Sequence, residues 1–305
     1  MASGAAAPVR VIHGQNTKLT KTGHGIGYSL ARDEIFTSSA SAGAITVYRG
    51  DASGNVPPIR IIQGPKTRLV APWALTVDDP HREITTIDNT THTVSTFPID
   101  AQGNVAPSRV LSGPHTLLGV ASSRYSGAFG LGEDPQSNLI VVSTHTHGVD
   151  PNWPYGGLLI FDRTATGDTP PRAVIAGPHT GIKLAGNLVI ANGRIFVNVS
   201  NRNWIPSYNA GGFAPRKGCT GPPPDILVVG GSSGFIGVWD EKQKGDVPPL
   251  YTIHGVTAEY IDLGGIAVDP KDGEVFITDG GHDGVLAYLV PDFFRSEPVS
   301  VISER

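Results

Sequence analysis

A short phrase recurs along this chain of 305 residues, and it constrains the fold more than any other feature. Its clearest form is Pro-x-Arg-x-Ile-x-Gly, as in "PIRIIQG". The copies begin at Pro8, Pro58, Pro107, Pro171, Pro249 and Pro298. The spacings between them are 50, 49, 64, 78 and 49 residues. A period near about fifty residues with strand-like content is typical of β-propellers.

Each interval has the content of one propeller blade. The second one predicts four strands, at 73–78, 83–88, 93–99 and 108–113, separated by turn residues. The 39 glycines and 25 prolines favour turn-rich β structure over helices. The two long intervals exceed the short ones by too little to hold another blade of about 40 residues. The sequence therefore predicts an all-β, five-bladed propeller with four-stranded blades.

We expect a single domain over 1–305, closed into a ring. The blades are expected at about 15–64, 65–113, 114–177, 178–255 and 256–305. One terminal copy of the phrase, 8–14 or 298–303, should complete the last blade by pairing with strands from the other end of the chain. This pairing would remove exposed sheet edges. We place the N-terminal strand 8–14 in the closing blade.

Two stretches carry a resemblance to a known group of propellers. These are "ALTVDDPHREITTID" (74–88) and "GIAVDPKDGEVFITD" (265–279), which resemble NHL-repeat and gluconolactonase-like propellers. The gluconolactonase-like enzymes hold a calcium or zinc ion with Glu, Asn and Asp side chains around the axis. Residues of these types are available at Asn187, Glu259, Asp262 and Asp279. They do not form a matching set residue by residue, and we predict no cofactor.

The histidines indicate where a ligand would bind. Propeller ligands usually bind at one mouth of the central channel, where the loops before the inner strands meet those between second and third strands. Five of the ten histidines fall on these loops: His24, His92, His145, His147 and His282. The same loops carry Trp73, Arg124, Tyr125, Tyr260 and Asp262.

The two long intervals owe their length to insertions on the same predicted face. The insertions span 147–157 and 201–224, and their aromatic residues are Trp153, Tyr155, Trp204, Tyr208 and Phe213. Long loops on a rigid scaffold commonly carry function. An aromatic-lined concave mouth favours an organic ligand over an ion alone.

One motif points to a metal instead. Residues i and i+2 of a strand face the same way, so His145 and His147 could both reach one ion. The alternative is that both are polar residues of a solvated loop.

Another motif, "GGSSG" at 230–234, matches a nucleophile elbow but lies between strand-like segments, and we interpret it as a hairpin.

Composition narrows the classes of partner. The 23 basic and 27 acidic residues nearly balance, which gives no support for nucleic-acid binding. No apolar run reaches the length of a membrane span. Cys219 is the single cysteine, so an internal disulfide is excluded. We expect a monomer with a small-molecule substrate. Sequons at Asn89 and Asn198 would fit a secreted protein, and the compartment stays open.

Three functions fit the predicted mouth. The first is an enzyme without a cofactor that cyclises, isomerises or eliminates an apolar organic substrate, with a hetero-Diels–Alder cyclisation as one form. Its catalytic residues would be His24, Arg124, Tyr125, His145 and His147. The substrate would contact Trp73, His92, Trp153, Tyr155, Trp204, Tyr208, Tyr260, Asp262 and His282. The second is a metal-dependent hydrolase or lactonase, with His145 and His147 as ligands. The third is a non-catalytic module that binds ligands or glycans.

Overall fold

The protein is a five-bladed β-propeller, seen here in a computed structural model. The structure describes residues 7–21, 23–119, 127–145, 156–182, 184–200, 234–253, 263–279 and 284–290. The predicted all-β class and blade architecture are confirmed. Helical structure in these ranges is limited to 3₁₀ turns, and none of it is long and apolar enough to cross a membrane.

Each blade is an antiparallel sheet whose strands follow one another from the axis outwards. Blade 1 comprises β1 (Gly23–Ser29), β2 (Glu34–Ser39), β3 (Ala44–Arg49) and β4 (Arg60–Gln63). Blade 2 comprises β5 (Pro72–Asp78), β6 (Glu83–Asp88), β7 (Thr93–Pro98) and β8 (Arg109–Leu111). Blade 3 comprises β9 (Gly127–Asp134), β10 (Leu139–His145), β11 (Gly157–Asp162) and β12 (Ala173–Ala176). Blade 4 comprises β13 (Leu184–Ala191), β14 (Arg194–Ser200), β15 (Gly234–Asp240) and β16 (Tyr251–Ile253). Blade 5 shows β17 (Leu263–Asp269), β18 (Glu274–Asp279) and β19 (Gly284–Leu289).

The hydrophobic core is divided among the spaces between consecutive blades. Between blades 1 and 2, for example, Phe36 and Ile45 pack with Ile84 and Phe97, all fully buried. Similar clusters lie between blades 2 and 3, 3 and 4, and 4 and 5. A middle strand therefore buries both of its faces, which explains the continuous apolar runs in β3 and β11. Each such side chain contributes roughly 1.5–3 kcal/mol.

The recurring phrase forms the outer strand of one blade and a contact with the next. Parallel bridges join Ile62 to Gly103, Leu111 to Gly167 and Ile175 to Gly245. A 3₁₀ turn follows each of these three outer strands, and the second backbone N–H of the turn donates to an Asn or Asp of the next blade. These bonds are Lys66 to Asn104, His115 to Asp168 and His179 to Asp246, each 2.7 Å. We call the bridge and this hydrogen bond together the clasp.

Glycine is required where the clasp closes. Gly64 precedes its 3₁₀ turn with φ of 126°, and a Cβ there would lie 2.6 Å from the Asn104 Oδ1. Gly113 and Gly177 have the same conformation in the next two blades. The histidines of the two "GPHT" turns add ring contacts to the same carboxylates, at 2.6 Å. Both histidines therefore have a structural role in the contact between blades.

The N-terminal segment makes the same clasp with blade 1. Ile12 bridges Gly54, the Asn16 N–H donates to the Asn55 Oδ1 at 2.8 Å, and Gly14 has φ of 108°. Among the described residues, no strand pairs with the outer edge of β19. The predicted pairing of strand 8–14 with the last blade therefore stays a prediction.

Candidate ligand site at the channel mouth

Each inner strand contains a β-bulge near its first residues. The register with the second strand shifts at this point in β1, β5, β9, β13 and β17. Aligning the blades on these shifts superimposes "GHGI", "PWAL", "AFGL", "AGNL" and "LGGI". One bulge position is thus occupied in turn by His24, Trp73, Phe129, Gly186 and Gly264. We call these five residues the bulge ring. Bulges commonly redirect side chains next to functional sites.

Three consecutive blades contribute rings to the bulge ring. The imidazole of His24 stacks on the indole of Trp73, with centroids 3.4 Å apart and planes at 16°. Trp73 meets Phe129 at 5.4 Å and 54°, a tilted arrangement. The contact of these three side chains from different blades forms a continuous aromatic arc at the mouth.

Blades 4 and 5 contribute glycines instead. A Cβ on Gly186 would meet nothing closer than the Asn198 carbonyl oxygen at 3.4 Å, so a methyl group would fit there. A Cβ on Gly264 would lie 2.5 Å from the Thr278 Oγ1, so a side chain there would have to displace this hydroxyl. The bulge ring is therefore uneven: blades 1 to 3 present rings, and the wall of rings has a gap at Gly186 and Gly264.

Hydrogen bonds from second strands hold the bulges in place. The Ser38 hydroxyl accepts the Gly25 N–H at 2.9 Å and donates to the Trp73 carbonyl of the next blade at 2.5 Å. Ser143 links Gly130 to the Gly186 carbonyl in the same way, at 2.8 and 2.5 Å. Each hydroxyl ties a bulge in its own blade to the bulge of the next blade. The position of the aromatic arc is thus fixed by the scaffold.

His24 is uncharged at neutral pH. Burial lowers the pKa of this imidazole, because a ring face covered by Trp73 is shielded from water. The rest of the ring stays exposed at the mouth. A neutral imidazole can accept a proton on one nitrogen and donate from the other.

His92 lies beside the arc, in the turn between β6 and β7. Its backbone has a left-handed φ of 54°. The ring lies so close to Gly127 that a Cβ there would be 2.7 Å from the imidazole Nδ1. This Nδ1 is buried, and no donor or acceptor in the described ranges bonds it. His92 thus adds an unsatisfied polar atom next to the mouth.

The structure brings together only part of the predicted site. His24 and Trp73 are in contact. The sequence indicated that His24 lies in the loop before β1, whereas the structure places it within the bulge of β1. His145 ends β10, where its backbone pairs with Gly127 and Leu184. Outside the described residues lie Arg124, Tyr125, His147, Trp153, Tyr155, Trp204, Tyr208, Phe213, Tyr260, Asp262 and His282.

Sequence reasoning missed Phe129 and the two ring glycines. The phrase used to find the blades marks outer strands, whereas these residues lie on inner strands. The five inner-strand tetrapeptides are aligned by the register shifts of the structure, and the sequence has no separate signal for the bulge position.

The described residues do not fit an axial metal cage. Asn187 uses its amide Nδ2 to donate to the Gly264 carbonyl at 2.9 Å, and Glu259 lies outside the described ranges. One described group of three acidic side chains is close enough to share an ion: Asp78, Glu83 and Glu133. This group lies at the opposite ends of β5 and β9 from the mouth.

Comparisons with known proteins support the fold. No family profile and no curated protein matches the chain's sequence. Kuenenia stuttgartiensis hydrazine synthase has a similar structure, with a TM-score of 0.58 and 10% identity over 88% of this chain and 65% of that one. The chain thus spans less than two thirds of that protein. The WD40 β-propeller domain of Doa1 aligns with a TM-score of 0.48 and 10% identity, over 89% of this chain and 70% of that one.

Proposed function

We propose that the protein is an enzyme that acts without a cofactor on a small, planar, largely apolar organic molecule at the channel mouth. The observation that carries this proposal is the uneven bulge ring. The aromatic arc of His24, Trp73 and Phe129 offers stacking surfaces, and at Gly186 no ring projects from the equivalent position.

The neutral imidazole of His24 supplies the chemistry. Stacking on Trp73 fixes the plane of the imidazole, so its nitrogens point along defined directions at the rim. A positioned neutral imidazole can take a proton from one substrate atom and return it to another. Isomerisation, elimination and cyclisation all use such a transfer or a hydrogen bond to a polarised carbonyl. His24 is therefore the proposed general base, and Trp73 and Phe129 the proposed walls.

The insertions complete the proposed site. Their tryptophans and tyrosines would add apolar surface above the arc, and Arg124, Tyr125, His145 and His147 would add polar contacts. These assignments rest on the sequence.

The gap offers a direct test with a matched control. We expect Gly186→Phe to fill the space with the aromatic ring that blades 1 to 3 carry, and Gly186→Ala to leave it open. A panel of planar organic compounds would be screened by thermal shift and by turnover. Ligands of the wild type should still bind the Ala variant and be lost from the Phe variant and from Trp73→Ala. Unchanged binding in both of the latter variants would contradict the proposed site.

A second comparison separates catalysis from binding. We expect His24→Gln to keep ligand binding and lose turnover at least about a hundredfold, as expected for removal of a general base. Binding by the wild type without turnover of any bound compound would favour the non-catalytic module. Loss of turnover after chelation, with restoration by Zn²⁺, would favour the hydrolase.

A further inference from the structure

The facing sides of blades 1 and 5 are exposed in this structure. Ile26 of β1 corresponds to Leu75, Leu131 and Leu188 in blades 2 to 4. Those three leucines are 5–6% exposed, whereas Ile26 is 74% exposed. Val285 of β19 is 65% exposed, whereas the corresponding residues of β3 and β7, Ile45 and Val94, are buried. Both surfaces have the composition of an interface between blades.

The internal repeat shows what covers Ile26. A Cβ on Gly27 of blade 1 would touch the Leu75 side chain, and one on Gly132 of blade 3 would overlap with Leu188. Each leucine thus packs on the inner strand of the preceding blade. The blade that precedes blade 1 in a ring is blade 5, and the corresponding residue of β17 is Ala267, which is exposed. The two open faces are therefore halves of one interface.

An ion pair inside the blades identifies the missing outer strand. Arg60 of β4 binds Glu34 of β2 through two hydrogen bonds, at 2.9 and 2.7 Å. Arg109 binds Glu83 in the same way, at 2.6 and 2.7 Å. Blade 3 has no charge at either position, with Leu139 facing the place of Ala173. In blade 4 the second strand begins with Arg194, which pairs with Asp240 of the third strand, and the outer strand has Tyr251. A glutamate at the start of the second strand, as in blades 1 and 2, therefore goes with an arginine in the outer strand.

Blade 5 carries the acidic half of this pair. Its second strand begins with Glu274, so its outer strand should begin with arginine. The N-terminal copy of the phrase has Arg10 at this position, and the C-terminal copy has Ser300. The N-terminal copy also has the glycine that the clasp requires, Gly14, where the C-terminal copy has Glu304.

We propose that Arg10–His13 is the outer strand of blade 5 and that an Arg10–Glu274 ion pair closes the ring. The registers of blades 1 and 2 place Arg10 opposite Ala287 and Ile12 opposite Val285, antiparallel to β19. The segment already clasps blade 1, so it joins the first and last blades.

Crosslinking tests the register without reference to any ligand. The starting variant is Cys219→Ser, so that only introduced thiols can pair. We expect Ile12→Cys with Val285→Cys to form a disulfide within one chain on mild oxidation, because opposed strand residues lie within disulfide range. Val9→Cys with Val285→Cys is out of register and should stay reduced. Mass spectrometry after proteolysis identifies the linked peptides.

Three results would overturn the proposal. Failure of the first pair to link would contradict the pairing of the two strands. A linked dimer would mean that the segment closes a second copy of the chain. Linking of Ile302→Cys with Val285→Cys would assign the strand to the C-terminal copy.

The ion pair has its own test. We expect Arg10→Glu and Glu274→Arg each to lower the melting temperature by about 2–4 °C, and the double variant to recover most of the loss. Equal reversals at the exposed pair Arg172 and Asp162 serve as the control and should change the melting temperature little. Additive losses in the Arg10–Glu274 double variant would contradict the ion pair.

Discussion

Two glutamates at blade interfaces show how the surroundings of a carboxyl group decide its protonation state. Hydrogen bonds from Arg60, and then from Arg32, lower the pKa of Glu34 to about 2 despite partial burial. Burial, and then the Asp78 carboxylate, raise the pKa of Glu133 to about 8. Glu133 occupies a position held by Val77 and Ile190 in the neighbouring blades. At neutral pH, Glu133 is therefore protonated and Glu34 is ionised.

Glu133 should make stability fall as pH rises. Its pKa is higher in the folded chain than the usual 4.5, so the folded state retains a proton that the unfolded state has lost between about pH 4.5 and pH 8. We expect Glu133→Gln to match the wild type near pH 4 and to exceed it at pH 8 by on the order of 2 kcal/mol. Urea unfolding of both proteins across this range measures the difference. A difference that does not vary with pH would contradict the assignment.

Glu34 should behave in the opposite sense. Its folded pKa is depressed, so its contribution is complete above about pH 4.5 and is lost as pH falls towards 2. We expect Glu34→Gln to cost about 2 kcal/mol at neutral pH, because Arg60 and Arg32 lose their shared partner. The cost should vanish below about pH 2. Asp51→Asn, at an exposed pair, is the control and should have little effect.

Only half of this contrast could be predicted from the sequence. Arginine recurs in the phrase at 10, 60 and 109, which marks a position with a shared role, and for Arg60 and Arg109 that role is an ion pair with a glutamate of the second strand. The state of Glu133 depends on Asp78, which lies on another blade. Only the strand registers show that Glu133 occupies a position that is apolar in the neighbouring blades.

Among the elements, the inner strands have the least space. A Cβ on Gly130 would overlap with the Gly186 carbonyl oxygen of the next inner strand and lie 2.7 Å from the Ser143 hydroxyl. Both contacts belong to the hydrogen bonds that hold the bulges. Close approach of backbones, and not backbone conformation, therefore explains Gly130 of β9.

Gly130→Ala should be far more damaging than Gly186→Ala. The first places a methyl group against a backbone oxygen that cannot move alone, and we expect a loss of about 2 kcal/mol or more. The second adds a methyl group at ordinary contact distance, and we expect less than about 1 kcal/mol. Chemical denaturation of both variants measures the two effects. Equal losses would mean that the strands separate easily and that the bulges are not held.

The strands were predictable and the bulges were not. Strand positions follow from alternating apolar residues and turns, and the predicted strands of blade 2 agree with β5 to β8 within about two residues. A bulge changes the register by one residue without changing composition, so the sequence gives it no separate signal. The histidines and aromatics led to the prediction of a site at the mouth, and the sequence could not show that Phe129 completes the arc.

At the scale of the whole molecule, the clasps link consecutive blades in the order of the chain. The outer strands of blades 1 to 3 each contact the following blade, and the N-terminal segment contacts blade 1. Blade 3, which has a covered face on both sides, contributes Val141, Leu159 and Ile160 to two clusters. Blade 1 and blade 5 each have one exposed face. Local opening should therefore begin where these two blades meet.

Hydrogen exchange should reveal this order. We expect amides of β19 and β1 to exchange faster than those of β10 and β14. Removal of residues 1–14 should accelerate exchange further in β19 and β1, because it deletes the proposed closing strand and the clasp on blade 1. Exchange in β10 should change little. Uniform acceleration over all blades would instead indicate that the molecule opens as one cooperative unit.

The uneven bulge ring also lowers the number of ways in which a ligand can be held. Around an axis of strict five-fold symmetry, one molecule would have five equivalent orientations, and a catalytic group would face the reacting atom in only a fraction of them. Here the five walls are an imidazole, an indole, a phenyl ring and two glycines. The repeated blades build the channel, and the different residues at this one register position remove its rotational symmetry, so its sides are no longer equivalent.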